Sequence, residues 1–212
     1  MKQLKLFLTA LVGLLSLSTL SAQPAGGGIE IAYIRPNPTK EFGFILKQAP
    51  GLAITTRSSN EYRLRWGVSF GYVPFKTTMD EFPSFAYESG GNEEAYYQGY
   101  DSFKNNSFHY FYAAITGEFK FFKTLLSPIV GLDFRINFST HTQISYFPEN
   151  PRSGGMEDSI NQNSMSFVPK AGVVYDYHDL SFLLTAGYNW DLTPQNMYPY
   201  TTVSLSAIYY FE

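Results

Sequence analysis

The sequence predicts an all-β protein, an eight-stranded antiparallel up-and-down transmembrane β-barrel. Three observations carry this. Large apolar residues alternate with polar or tiny ones over most of the chain, as in Tyr62-Arg63-Leu64-Arg65-Trp66-Gly67-Val68-Ser69-Phe70-Gly71-Tyr72, the two-residue period of a strand. Aromatics reach 18% of the residues, the composition of a chain that faces lipid with half of each strand. The chain opens like an exported protein. Lys2 and Lys5 precede an apolar run, Leu6 to Leu20, then Ser21 and Ala22, too short and too early for a membrane span and laid out as a secretory leader. We assign residues 1–22 to a cleaved signal peptide and 23–212 to the barrel.

The elements follow in order. Gln23 to Gly27 is expected to be a flexible lead, with Gly26-Gly27-Gly28 a linker. The first strand runs Gly28–Arg35 and ends at Pro36-Asn37-Pro38, because proline cannot donate to a ladder. The second covers Phe42–Arg57, with Phe42, Phe44, Leu46, Leu52 and Ile54 on one face and a bulge at Ala49-Pro50-Gly51. After the turn Ser58-Ser59-Asn60, the third strand is Glu61–Lys76. Thr77–Asn106 shows no periodicity and is predicted to be loop. The fourth strand, Ser107–Phe122, keeps Phe111, Ile115, Phe119 and Phe121 on one face. The fifth is Leu126–Gln143, and Ser145–Asn163 is a second long loop. The sixth is Ser164–Asp176, the seventh Leu180–Asp191 and the eighth Tyr200–Phe211. Connections after strands two, four and six are short and the others long, the rim asymmetry of outer-membrane barrels.

The face opposite the bulky residues decides between a membrane barrel and a water-soluble one that binds a ligand inside. It carries Gly67, Ser69, Gly71, Gly131, Asp133, Arg135, Asn137, Ser181, Thr185, Gly187 and Asn189. A water-exposed face would be rich in Lys, Glu and Thr. Small residues with isolated charges suit a narrow lumen, and Tyr62, Tyr72, Trp190, Tyr209 and Phe211 stand near strand ends, where interfacial girdles form.

The leader, the eight alternating strands and the closing strand Val203-Ser204-Leu205-Ser206-Ala207-Ile208-Tyr209-Tyr210-Phe211 resemble the small outer-membrane β-barrel domains of the OmpA, OmpW and PorT-like kind. The resemblance covers the whole mature chain and rests on pattern. It implies residence in the outer membrane of a Gram-negative cell. It also implies a non-enzymatic structural or accessory role, as part of a secretion or assembly complex where PorT-like relatives are the guide.

Composition narrows the function further. The mature chain loses Lys2 and Lys5, leaving 13 basic against 18 acidic residues, a net charge of −5. Nucleic-acid binding needs clustered cations, so no nucleic-acid partner is expected. There is no cysteine, hence no disulfide or thiolate metal site. The expected partners are outer-membrane lipid and an envelope protein of unspecified identity. No cofactor is expected.

Three constellations are candidates for chemistry. Glu30, Arg63, Arg65, Glu118, Lys120, Asp133, Arg135, Lys170 and Asp176 are predicted to face the lumen. Desolvated there, they must pair, either as a static plug or as a narrow channel or small-solute site. Arg135 and Asp133 share a strand face, so further pairing to Arg63, Arg65 or Glu118 is expected. The histidines His109, His141 and His178 are the second set. Small barrels that modify lipid A use His and Ser two positions apart on a strand, and neither His109-Tyr110-Phe111 nor His141-Thr142-Gln143 has that serine; His178-Asp179-Leu180-Ser181 has the residue types at a turn. No catalytic or metal residues are assigned. The third is the acidic, tyrosine-rich loop with Glu93, Glu94, Tyr96 and Tyr97, a candidate extracellular recognition element.

Overall fold

A computed structural model describes residues 25–37, 45–58, 61, 63–90, 93–146, 156–192 and 199–211. The predicted leader, Tyr62 and the predicted strand start at Phe42 lie outside them. Ten strands are described: β1 (Ala25–Pro36), β2 (Ala49–Ser58), β3 (Leu64–Lys76), β4 (Phe82–Gly90), β5 (Glu93–Phe103), β6 (Ser107–Lys120), β7 (Leu126–Tyr146), β8 (Met156–Tyr177), β9 (Leu180–Asp191) and β10 (Tyr200–Tyr210). Eight of them close on themselves in the order β7-β6-β3-β2-β1-β10-β9-β8, with β8 returning to β7. Every neighbouring pair is antiparallel. Closure leaves the barrel no free edge.

Alternation sets the two faces. Outside stand Ile29, Ile31, Leu52, Ile54, Val130, Leu132, Phe182, Leu184, Val203 and Leu205, all exposed. Trp190, Tyr209 and Phe211 flank them near strand ends. Inside lie Ser69, Thr116, Asn137, Ser166, Thr185, Ser204 and the charges described below. Strand β9 has 12 residues, about 40 Å of chain at ~3.3 Å per residue; tilted by about 45°, that spans a bilayer core.

Five features depart from the sequence reading. The glycines Gly26, Gly27 and Gly28 are strand, not linker, paired to Tyr210, Tyr209 and Ile208 on one side and to Arg57, Thr56 and Thr55 on the other. A Cβ on Gly28 would sit 2.0 Å from the Ala207 carbonyl oxygen, so glycine lets the first and last strands close the seam.

The second strand is described from Ala49, and Lys47 and Gln48 before it are not strand. Leu46 makes an isolated bridge to Thr77. It is buried, whereas Leu52 and Ile54 are exposed. Ala49, Pro50 and Gly51, the predicted bulge, pair in step with Ile34, Tyr33 and Ala32; the alternation slips instead at Lys47-Gln48, both exposed, which puts Leu46 on the inner face.

The predicted loop Thr77–Asn106 contains the hairpin β4–β5, with Tyr87 opposite Tyr96. Strand β5 continues onto the projecting end of β7 through Tyr100–Phe103. This hairpin stands beyond the closed barrel, where no lumen and no lipid face impose a period of two. The second predicted loop is likewise shorter, because β8 begins at Met156 and pairs with β7 up to Ser145.

The lumen is not uniformly polar. Its half toward the long loops is filled by Ile34, Leu46, Val73, Phe75, Phe108, Tyr110, Tyr112 and Tyr200. A smaller apolar cluster, Ile129, Val174, Leu183, Ile208 and Tyr210, lines part of the other half.

Candidate functional site

Charge is concentrated in the middle of the lumen and toward the short-turn rim. Strand β6 turns Glu118 inward between β3 and β7, opposite Arg65 and Gly131. Its carboxylate takes Arg57 Nη2 at 3.2 Å and Nε at 3.3 Å, Arg65 Nη2 at 3.5 Å and Lys170 Nζ at 2.9 Å. Lys170 also reaches Asp133 Oδ1 at 2.8 Å. Asp133 accepts from Thr116 Oγ1 at 2.8 Å and from Arg135 Nη2 at 2.7 Å. Arg135 donates to the Tyr200 hydroxyl at 3.0 Å and lies 4.3 Å above the Tyr112 ring. Toward the rim, Asp176 joins Lys120, Ser181 and, at 3.7 Å, Arg65 Nη1. Glu30 accepts from Ser206 at 3.0 Å.

Charges at this depth have lost most of their hydration, and the mutual bonding offsets that loss. Among the described residues the buried set comprises the cations Arg57, Arg65, Lys120, Arg135 and Lys170 and the carboxylates Glu30, Glu118, Asp133, Asp176 and Asp191. Five cations thus stand against five carboxylates, and the signs are balanced.

Eight of the nine predicted lumen residues lie in this network or beside it. Arg63 does not: it is exposed before the start of β3, and its carbonyl accepts from the Lys120 backbone N–H. The predicted inward period runs one step past the end of the strand. The further partners of the Asp133–Arg135 pair are Lys170, Thr116 and Tyr200, not Arg63, Arg65 or Glu118. Sequence reading missed Arg57. Its signal was available, since exposed Leu52 and Ile54 put Ala53, Thr55 and Arg57 on the inner face.

The histidines are dispersed. His109 Nδ1 meets the Tyr72 hydroxyl at 2.8 Å on the outer face. His141 is buried, stacked on Phe108 with ring centroids 4.9 Å apart. His178 lies in the β8–β9 turn with φ of 51°, while Ser181 points into the lumen at Asp176. Among the described residues no group of three or more His, Cys, Asp or Glu side chains is arranged to hold a metal. Glu93, Glu94, Tyr96 and Tyr97 occupy the start of β5, with backbones opposite Gly90, Ser89, Tyr87 and Ala86. An open cavity of about 750 Å³ at the short-turn rim is lined by Lys120, Lys123, Asp176 and His178 among others.

No family model matches this chain, and no curated protein does. Solved structures do. Neisserial surface protein A, from Neisseria, superposes with a TM-score of 0.56 at 14% identity, over 88% of this chain and 97% of that one. The N-terminal β-barrel domain of Pseudomonas aeruginosa OprF gives 0.48 at 12% identity, over 89% and 98%. The outer membrane protein OprG of Pseudomonas aeruginosa gives 0.44 at 12%, over 89% and 94%. This chain has the closed eight-stranded antiparallel barrel fold of Neisserial surface protein A.

Proposed function

We propose that this chain is an outer-membrane barrel of a Gram-negative cell, exported through the leader at residues 1–22, with a non-enzymatic structural or accessory role in the envelope. One observation carries the reading: the barrel is inside out relative to a water-soluble one. Its outer wall is an apolar band of Ile, Leu, Val and Phe, with Trp190, Tyr209 and Phe211 near the strand ends, while the charges between its rims point inside and are paired. A contiguous apolar surface of this size is an aggregation hazard in water and the required surface in lipid.

The lumen is a static plug in this reading. Paired charges fill one half and aromatic side chains the other, so no continuous water path is needed for stability. What remains for interaction is the lipid-facing wall, the two rims and the β4–β5 hairpin, which is where an envelope partner would attach.

The test is fractionation of native membranes followed by reconstitution. The protein is expected in the outer-membrane fraction, with a faster unheated band on electrophoresis and no stepwise current in planar bilayers. Recovery in the soluble fraction overturns the membrane reading. Reproducible conductance that changes on neutralising Arg65 or Arg135 replaces the plug by a narrow channel. Altered lipid A mass on overexpression, abolished in a His109 or His178 variant, replaces it by an enzyme.

A further inference from the structure

Two lysines face each other across strands at the long-loop rim. The bridge Leu46–Thr77 sets the register there, and the Lys47 backbone N–H donates to the Lys76 carbonyl at 2.7 Å. Leu46 and Thr77 point inward and are buried. Their neighbours Lys47 and Lys76 are exposed, on the outer face. On the adjoining strand Arg35 is also exposed, one residue beyond the Ile34–Ala49 pair. Among the described residues, none of these three side chains makes an ion pair.

Like charges held directly opposite on a sheet repel. A surface free to choose would separate them or set an acid between them. Here three exposed cations stand at one rim, on β1, the lead into β2 and the end of β3. The exposed acids described nearest along the chain, Asp80 and Glu81, lie beyond β3; Asp80 accepts from Asn106 Nδ2 at 2.8 Å.

The position of the cluster identifies its counterion. Two residues below Arg35 stands Tyr33, and two below that Ile31, both exposed. Below Lys76 come Pro74 and then Tyr72, whose hydroxyl meets His109. Two residues of strand are about 7 Å. The cations therefore sit one or two such steps above the apolar wall, at the height of a lipid headgroup whose tails lie against Ile31, Leu52 and Phe111.

We infer that Arg35, Lys47 and Lys76 form a site for the phosphate of an anionic lipid in the surrounding leaflet. The inference rests on the membrane reading above, since the site needs a lipid phosphate held beside the wall. Each cation near such a headgroup contributes about 1 kcal/mol, so removing two should weaken retention by about thirtyfold.

The experiment reconstitutes the mature protein in mixed micelles with a phosphorylated glycolipid or with the same lipid dephosphorylated, and counts retained lipid by native mass spectrometry. The wild type is expected to retain the phosphorylated lipid preferentially, at low salt more than at high, and to keep it in millimolar inorganic phosphate. The double variant Lys47→Gln/Lys76→Gln should lose that preference, while Lys123→Gln on the other rim should keep it. Equal retention of both lipids, an unaffected double variant, or equal loss in Lys123→Gln overturns the site. Displacement by millimolar inorganic phosphate overturns the lipid as its source. The heat-sensitive mobility shift separates the two readings: a wild type that folds in lipid but shows no preference refutes only the site, whereas one that fails to fold in lipid refutes the membrane reading and the site with it.

Discussion

Arg57 and Glu118 meet through a two-bonded fork, Nη2 to Oε1 at 3.2 Å and Nε to Oε2 at 3.3 Å, although they lie 61 residues apart in sequence. Strands β2 and β6 that carry them are not neighbours; β3 stands between them. The pair therefore crosses the lumen behind β3, tying non-adjacent staves of the wall. The same carboxylate also binds Arg65 and Lys170.

Removing that charge leaves three buried cations short of an acceptor. Glu118→Gln is expected to destabilise the folded barrel by about 3–5 kcal/mol, the cost of breaking a buried pair from one side. Replacing both partners, as in Arg57→Met with Glu118→Gln, should cost less than the two single changes added together, since each removes the other's orphan. Urea unfolding in lipid vesicles, read by tryptophan fluorescence, measures both. Additive costs would show that the fork carries no coupling.

The wall makes a separate demand where two strands approach closely. A Cβ on Gly28 would meet the Ala207 carbonyl oxygen at 2.0 Å, and one on Gly172 the Leu184 carbonyl oxygen at 2.0 Å; at Gly117 nothing lies within 4 Å. Gly28→Ala and Gly172→Ala should each lower stability by about 1–3 kcal/mol or more, because backbone must move. Gly117→Ala should be neutral or slightly stabilising, since it only removes freedom from the unfolded chain. The unfolding midpoints of the three variants decide this, and an ordinary midpoint for Gly28→Ala would mean the seam is looser than described.

Much of this was legible in the sequence, for a definite reason. Where a strand is bounded on one side by lipid and on the other by a crowded lumen, period two is enforced at every step, and β9 falls at Leu180–Asp191 as its alternation predicts. Where one boundary is missing, the period fades. The hairpin β4–β5 has neither, so it read as loop. Strand ends are similarly silent: Arg63 continues the inward period of β3 yet lies outside it, while Arg57, beside a turn, is inside. The pairings of Glu118 depend on which staves lie opposite across the lumen, a relation between distant segments that alternation along one strand does not contain. The inward aromatics Phe75, Tyr110 and Tyr200 are not legible in alternation, because bulk on a strand reads equally as lipid face or as lumen filling.

The orientation of the wall gives a test by substitution. Leu205 is 54% exposed near the middle of β10. In a bilayer, Leu205→Arg should cost about 2–4 kcal/mol, whereas the same change near an interface, at Tyr209, should cost about 1 kcal/mol or less. In a water-soluble barrel, arginine at either exposed position would be neutral. Equilibrium unfolding from vesicles compares the two variants, and equal small effects would contradict a lipid-facing wall.

The hairpin should be separable from the barrel. Among the described residues strand β4 pairs only with β5, and β5 reaches the rest of the sheet through the four pairs from Tyr100–Tyr146 to Phe103–Gln143. The barrel's own ladder between β6 and β7 runs independently from His109–Thr140 to Lys120–Ile129. Long surface insertions add little to loop-closure cost. Replacing Pro83–Ser102 by a short Gly/Ser turn should therefore leave the heat-sensitive mobility shift and the unfolding midpoint close to wild type. It removes Glu93, Glu94, Tyr96 and Tyr97 together, so a partner that copurifies with the intact protein and is lost from this variant would locate recognition on the hairpin. Failure of the variant to fold would instead make the hairpin part of the barrel's own assembly, contrary to the pairing pattern.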